Sequence, residues 1–188
     1  MIKPNNFDNV QALGGFTPLE VGGHLLVIKQ IQEAKSGNGR DMIRIFLDTQ
    51  AADKQPNYYQ NQFDNDKREK KRWGCIVYQT TTDASGDASR GFKTFIESVE
   101  KSNNGFKVSW DEHFCSSLKG KLVGGVFGRE EYINNNGESK FIPKCFNFRT
   151  IEDIKTGVEA PKDRLLNGST NNTGDLTLIN DVSDTLPF

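Results

Sequence analysis

Apolar positions along the chain fall first into alternating runs, then into two stretches with helical spacing, then into alternating runs again. Gly22 to Gln32 opens as an apolar, β-branched run and alternates later, as a long strand leaving a core would. Ser36-Gly37-Asn38-Gly39 has hairpin-turn chemistry. Arg40 to Asp48 reads as the partner strand, with Ile43, Ile45 and Leu47 facing a core and Met42, Arg44, Phe46 and Asp48 on a mixed face available for use. Residues 50–72 form a long polar excursion, of a length that in compact domains is functional or disordered. Trp73 to Thr81 resumes a strand, in which Trp73, Cys75 and Val77 alternate with Ile76 and Tyr78.

After a turn-rich link over Asp83 to Ser89, Phe92, Phe95, Ile96 and Val99 recur at the spacing of an amphipathic helix that closes near Asn103-Asn104-Gly105. Ser109-Trp110-Asp111-Glu112 fits a capping box, with Trp110, Phe114 and Leu118 repeating every four residues and Gly120 ending the helix. Lys121 to Ile133 and Ser139 to Arg149 complete the pattern as two strands joined by Asn134-Asn135-Asn136-Gly137. The glycines at 124, 125 and 128 suit a sharply bent strand. This order predicts a mainly β fold: a five-stranded OB-type barrel with a helical insert between strands 3 and 4 and a disordered C-terminal tail. Residues 1–160 form the expected domain, and residues 161–188 a flexible linker and tail, because Asn167 to Gly174 is polar with nothing to bury.

Composition narrows the picture. A chain of 188 residues is long enough for one sizeable core, and 35% hydrophobic content is low for a chain folded throughout. No signal-peptide pattern opens the chain and no run reaches the length of a membrane span, so a soluble, cytoplasmic protein without a membrane partner is expected. Cys75, Cys115 and Cys145 are odd in number and form no C-x-x-C pair, which argues for free thiols rather than a disulfide framework or zinc ribbon. The net charge of −1 conceals an asymmetry. All 24 Lys and Arg lie at or before Arg164, whereas Asp175, Asp181 and Asp184 lie after it, giving a body of +2 and a tail of −3.

That basic body carries the candidate chemistry. Binding a single strand without regard to sequence requires cations along the phosphates and flat side chains under the bases. Tyr58, Tyr59, Phe63, Trp73 and Tyr78, with Phe46 on the same strand face as Arg44, supply planes; Arg44, Lys67, Arg68, Lys70, Lys71 and Arg72 supply charge. In the barrel reading they gather on strands 2 and 3 and the loop between them. A solvated basic loop with aromatics padding the barrel is the competing explanation.

The second candidate is the carboxyl end, where Asp181, Asp184, Leu186, Pro187 and Phe188 form an acidic stretch ending in an aromatic side chain and a terminal carboxylate. This ending resembles the acidic tip of bacterial and phage single-stranded-DNA-binding proteins, although with fewer acids and with Thr185 where another Asp could stand. Arg90-Gly91-Phe92-Lys93-Thr94-Phe95-Ile96, Leu118-Lys119-Gly120-Lys121-Leu122-Val123-Gly124 and Asn147-Phe148-Arg149 are similar to segments of DNA-binding proteins from phages and prophages of Gram-positive bacteria. The resemblance implies protection of single-stranded DNA during replication, recombination or repair, with replication and recombination proteins recruited through residues 181–188. A homo-oligomer is compatible with it, and the sequence leaves the oligomeric state open.

Enzyme readings find less support. His24, His113, Cys75, Cys115 and Cys145 lack paired ligand spacing, so no metal or other cofactor is expected, and structural roles are expected for all five. Asp48, Asp53, Asp64 and Asp66 could be drawn as a nuclease metal cluster, but an irregular loop separates them and solvation explains them. No phosphate loop, nucleophile elbow or His-Glu-x-x-His motif occurs, so no catalytic residue is assigned. The alternatives to single-strand binding are an OB-fold module for protein interaction or assembly and, further off, a metal-dependent nuclease.

Overall fold

The first two alternating runs pair as a hairpin, β1 (Gly22–Lys35) with β2 (Asp41–Thr49), closed at a turn where Gly39 takes φ 76°. This computed structural model describes residues 3–4 and 17–166. Three further strands, β3 (Ile76–Thr80), β4 (Leu122–Ile133) and β5 (Ser139–Arg149), complete one antiparallel sheet in the order β3-β2-β1-β4-β5. β1 is central because it is long enough to serve two partners: Gly22 to Val27 pair with β4, and Leu26 to Lys35 with β2. Opposite β2 the register slips between Ile28 and Gln30, leaving Lys29 as an inserted residue, a bulge that bends the strand. Among the described residues β3 and β5 are the edges of the sheet, and no ladder joins them, so the sheet is open where the element order predicted a barrel.

The predicted amphipathic helix is α2 (Arg90–Ser102), begun by Ser89, whose hydroxyl oxygen accepts the Phe92 N–H at 3.2 Å, and ended at Asn103. Its Phe92, Phe95, Ile96 and Val99 are buried, Phe95 lying 4.8 Å from Phe148 on β5, and the helix packs on β3, β4 and β5. The second predicted helix is shorter than its repeat suggests. α3 (Phe114–Leu118) starts after His113 without a side-chain cap, because Asp111 folds its own turn: its carboxylate accepts the Ser109 hydroxyl at 2.6 Å and the His113 N–H at 2.7 Å. Trp110 therefore stands outside the helix.

Two helices were not foreseen. α1 (Tyr58–Asn65) lies inside the polar excursion and packs on β2, and α4 (Ile151–Thr156) follows β5 behind a Thr150–Asp153 capping box. α4 sits on β1 and β4 at their glycines; a Cβ on Gly124 would lie 2.5 Å from the Ile154 side chain and 2.7 Å from the Thr150 carbonyl oxygen. Beyond it the chain returns to β4: Glu131 N–H donates to Arg164 O and Arg164 N–H to Arg129 O, each at 2.8 Å, while the Arg164 guanidinium lies 3.8 Å from the Phe146 ring centre. Residues 161–166 thus lie along β4, whereas Asn167 to Gly174 and Asp181, Asp184, Leu186, Pro187 and Phe188 fall outside the described residues. Among the described residues no helix is long and apolar enough to cross a membrane.

Candidate nucleic-acid interface

One buried carboxylate organises the excursion. Asp48 is the penultimate residue of β2, and its Oδ1 accepts the N–H groups of Thr49 and Tyr59 at 2.9 Å and of Gln60 at 3.3 Å, capping α1 from ten residues upstream. Thr49 assists: its hydroxyl accepts the Tyr58 N–H at 2.8 Å and donates to Gln55 O. Asp48 is 1% exposed and its Oδ2 is buried without a hydrogen-bond partner, so burial pushes the carboxyl above its ordinary range despite the amide donors and the nearby Lys29 charge. Asp53 is also buried. It receives the Leu25 and Gln55 amides and a bond from His24 at 2.9 Å; burial raises its carboxyl, but these donors outweigh burial and hold it below the usual range. Solvation therefore fails to explain Asp48 and Asp53: both are structural, pinning the excursion to the sheet. Among the described residues no group of three or more His, Cys, Asp or Glu is arranged to hold a metal.

The helix so anchored sorts the aromatic residues. Tyr59 turns into the core and is 4% exposed, near Cys75, whose thiol burial pushes up to about 12. Trp73 is 7% exposed and donates its Nε1–H to Leu47 O at 2.7 Å. Phe46 is 1% exposed. The mixed face assigned to β2 is therefore covered over most of its length: Met42, Phe46 and Asp48 are buried and only Arg44 keeps appreciable exposure. The physical reason is that α1 and the Trp73 segment lie over it, so both faces of β2 are core there. Tyr58, Phe63 and Tyr78 remain half-exposed. The Tyr58 hydroxyl accepts the Leu19 N–H at 3.0 Å, and Tyr78 stands beside Arg44, whose guanidinium is 6.0 Å from its ring centre.

Around Trp73 the planes and cations converge. Its ring centre is 5.5 Å from that of Phe63, Lys29 Nζ lies 5.9 Å from the Trp73 centre, and Lys71 Nζ lies 5.3 Å from the Phe63 centre. Trp73 divides two concavities. One, of about 660 Å³, is lined by Lys29, Gln30, Phe46, Phe63 and Lys119; the other, of about 600 Å³, by Tyr58, Asn61, Gln62, Arg68 and Arg72. Along β2 the Phe46–Ile76 and Arg44–Tyr78 pairs occupy consecutive positions of one face, so the Arg44 row continues the Trp73 row. The chain matches no known protein family and no curated protein.

Exposure and pairing vary along the 67–72 run. Arg68 makes a forked pair with Asp66, at 2.7 Å from Nη2 and 2.9–3.0 Å from Nε, which holds the Asp66 carboxyl down to about 2; Lys67, Lys70 and Arg72 are exposed and Lys71 is half-buried over Phe63. Sequence reading missed Lys29 and Lys119. Lys29 occupies the bulge, which no alternation announces, and Lys119 arrives from α3. It also missed the outer part of the β4–β5 hairpin, where Tyr132, Ile133, Phe141 and Ile142 are exposed and Arg129 lies 5.6 Å from the Phe141 ring centre. The signal for that patch was present in Lys140-Phe141-Ile142-Pro143-Lys144, where basic and apolar residues interleave.

Proposed function

We propose that this protein binds single-stranded DNA without catalysis, through backbone charge and base stacking, along the face marked by Phe63, Trp73, Lys29 and Lys71. The carrying observation is the meeting, at one pair of concavities, of an aromatic wall with cations from β1, the residue after α3 and the loop before β3. Phosphates following the lysines would present bases to Phe63 and Tyr58, with Trp73 backing Phe63 from the core. Lys67, Lys70 and Arg72 extend the positive track, and Arg44 with Tyr78 continues it along β2. Tyr59 and Phe46 act from within, by holding α1 and β2 in place.

An OB-type architecture supports this reading and is itself inferred. The order β3-β2-β1-β4-β5 is that of such a barrel opened between its third and fifth strands, and α2 packs on both of those edges, as a helix between the third and fourth strands would. Recruitment of replication or recombination proteins through Asp181, Asp184, Leu186, Pro187 and Phe188 is proposed from the sequence of the tail alone.

The test is a titration of the full chain with fluorescent oligo-dT, matched duplex and RNA at several salt concentrations. Tight binding of oligo-dT that weakens steeply with salt, with weaker binding of duplex, is expected. Binding insensitive to salt, or equal affinity for duplex, would remove the proposal.

A further inference from the structure

A second surface lies at the opposite end of β2. Met42 and Phe46 share a face of that strand four residues apart, about 13 Å along it. Beside Met42, where α3 approaches the hairpin tip, is a groove of about 490 Å³ lined by Glu33, Met42, Phe92, Trp110, Asp111 and Phe114. Trp110 is 70% exposed, more than any other large apolar side chain among the described residues. It is nonetheless held in place: its ring stacks on Phe114 at 5.5 Å with 23° between planes and meets Phe92 edge-on at 6.1 Å. Tryptophan is among the residues enriched as energetic anchors of protein interfaces.

The rim has one sign. Glu33, Asp41 and Asp111 border the groove, and Lys35 offsets Asp41 through an ion pair at 2.6 Å. Asp111 has both oxygens committed to its turn, to Ser109 and His113, which keeps its carboxylate charged and fixed in place. Such a rim repels phosphate, so a nucleic-acid strand is a poor occupant, and it repels the acidic residues 181–188 of this chain equally. It favours cations flanking an apolar group.

We propose that this groove docks a basic segment of a partner protein, whose single aromatic or large aliphatic side chain enters between Trp110, Phe92 and Phe114 while Lys or Arg on either side meet Glu33 and Asp111. The proposal does not depend on DNA binding.

The experiment uses the full chain and three fluorescein-labelled peptides: a short lysine-rich peptide with one central Phe, the same peptide with Ser in place of that Phe, and one with Glu in place of every Lys. Anisotropy should show saturable binding of the first, about tenfold weaker binding of the second and none of the third. Trp110→Ala and, separately, Glu33→Lys should each weaken the Phe peptide about tenfold while leaving urea unfolding and oligo-dT affinity unchanged. Both residues are exposed, so neither change removes core. Equal binding of the Phe and Ser peptides, or wild-type affinity in both variants, would overturn the proposal by showing general charge attraction. Sedimentation velocity supplies the other arm: self-association that Trp110→Ala abolishes would show a second copy in the groove and overturn it as well.

Discussion

Asp48 shows how much one side chain can fix. It stands near the end of a strand, starts a helix and leaves one carboxylate oxygen buried without a partner, a site suited to a proton. Because burial raises its folded value above the ordinary carboxylate value near 4, the folded state binds that proton more tightly than the unfolded chain. The stabilisation is complete below the ordinary value and is lost as pH rises through the raised one. Asp53 works in the opposite sense, since its lowered value gives stability above the ordinary value that disappears as pH falls. Asp48→Asn keeps the Oδ1 acceptor and removes the titration. Urea midpoints at pH 4 and pH 7 should therefore show wild type gaining on the variant at the lower pH, and an unchanged difference would assign the pH dependence elsewhere. Asp48→Ala, which leaves the first amides of α1 without their acceptor, should cost about 1–2 kcal/mol at pH 7 and more at pH 4, where the wild-type proton adds its share.

Single substitutions also separate stacking from charge. Phe63→Ala should weaken oligo-dT binding by about 1–3 kcal/mol and leave the slope of affinity against salt intact, whereas Lys29→Ala or Lys71→Ala should each lower that slope by about one. Trp73→Ala is the wrong probe, because a 7%-exposed ring bonded to Leu47 O belongs to the core and its loss would unfold the platform it supports.

At the scale of elements, the strands and α2 were legible because each advertises a local period. The alternation of Trp73, Cys75 and Val77 with Ile76 and Tyr78 is the alternation of burial, even though only Ile76 onward is strand. α1 was not legible, since its cap is Asp48, far from its first turn, and the residues between resemble a loop. α4 has a good capping box but buries none of its six residues fully, so no apolar period marks it. The open face expected of β2 failed for a tertiary reason: α1 returns to cover it, and a strand covered twice has no exterior to announce. Gly124, expected to suit a sharply bent strand, serves instead to let α4 approach β4 closely. With Ile154 and two backbone carbonyls around the missing Cβ, Gly124→Ala should destabilise by about 1–3 kcal/mol at constant m-value in urea, and a neutral result would show that α4 can lift away from β4.

On the scale of the whole molecule, charge and apolar surface are divided among regions. Basic residues cluster beside Trp73, carboxylates beside Trp110, and exposed apolar side chains on the β4–β5 hairpin, near where residues 161–166 return to β4. The sequence showed the charge division between body and tail but not the one within the body, which depends on which residues the sheet carries to each end. Removing Asp181 to Phe188 should leave oligo-dT affinity unchanged and abolish recovery of replication or recombination proteins; equal recovery would show the tail to be inert.

The inserted Lys29 gives β1 two phases of in-and-out alternation within one strand. Excising that single residue would set the Ile28–Leu47 and Gln30–Phe46 pairs next to each other in a regular ladder, with Gln30 and Gln32 still outward and Ile31 still inward, so that only the bend of the strand would go. The loss of one amino acid there would thus straighten β1 and withdraw the ammonium beside Trp73 while sparing every β1–β2 pair.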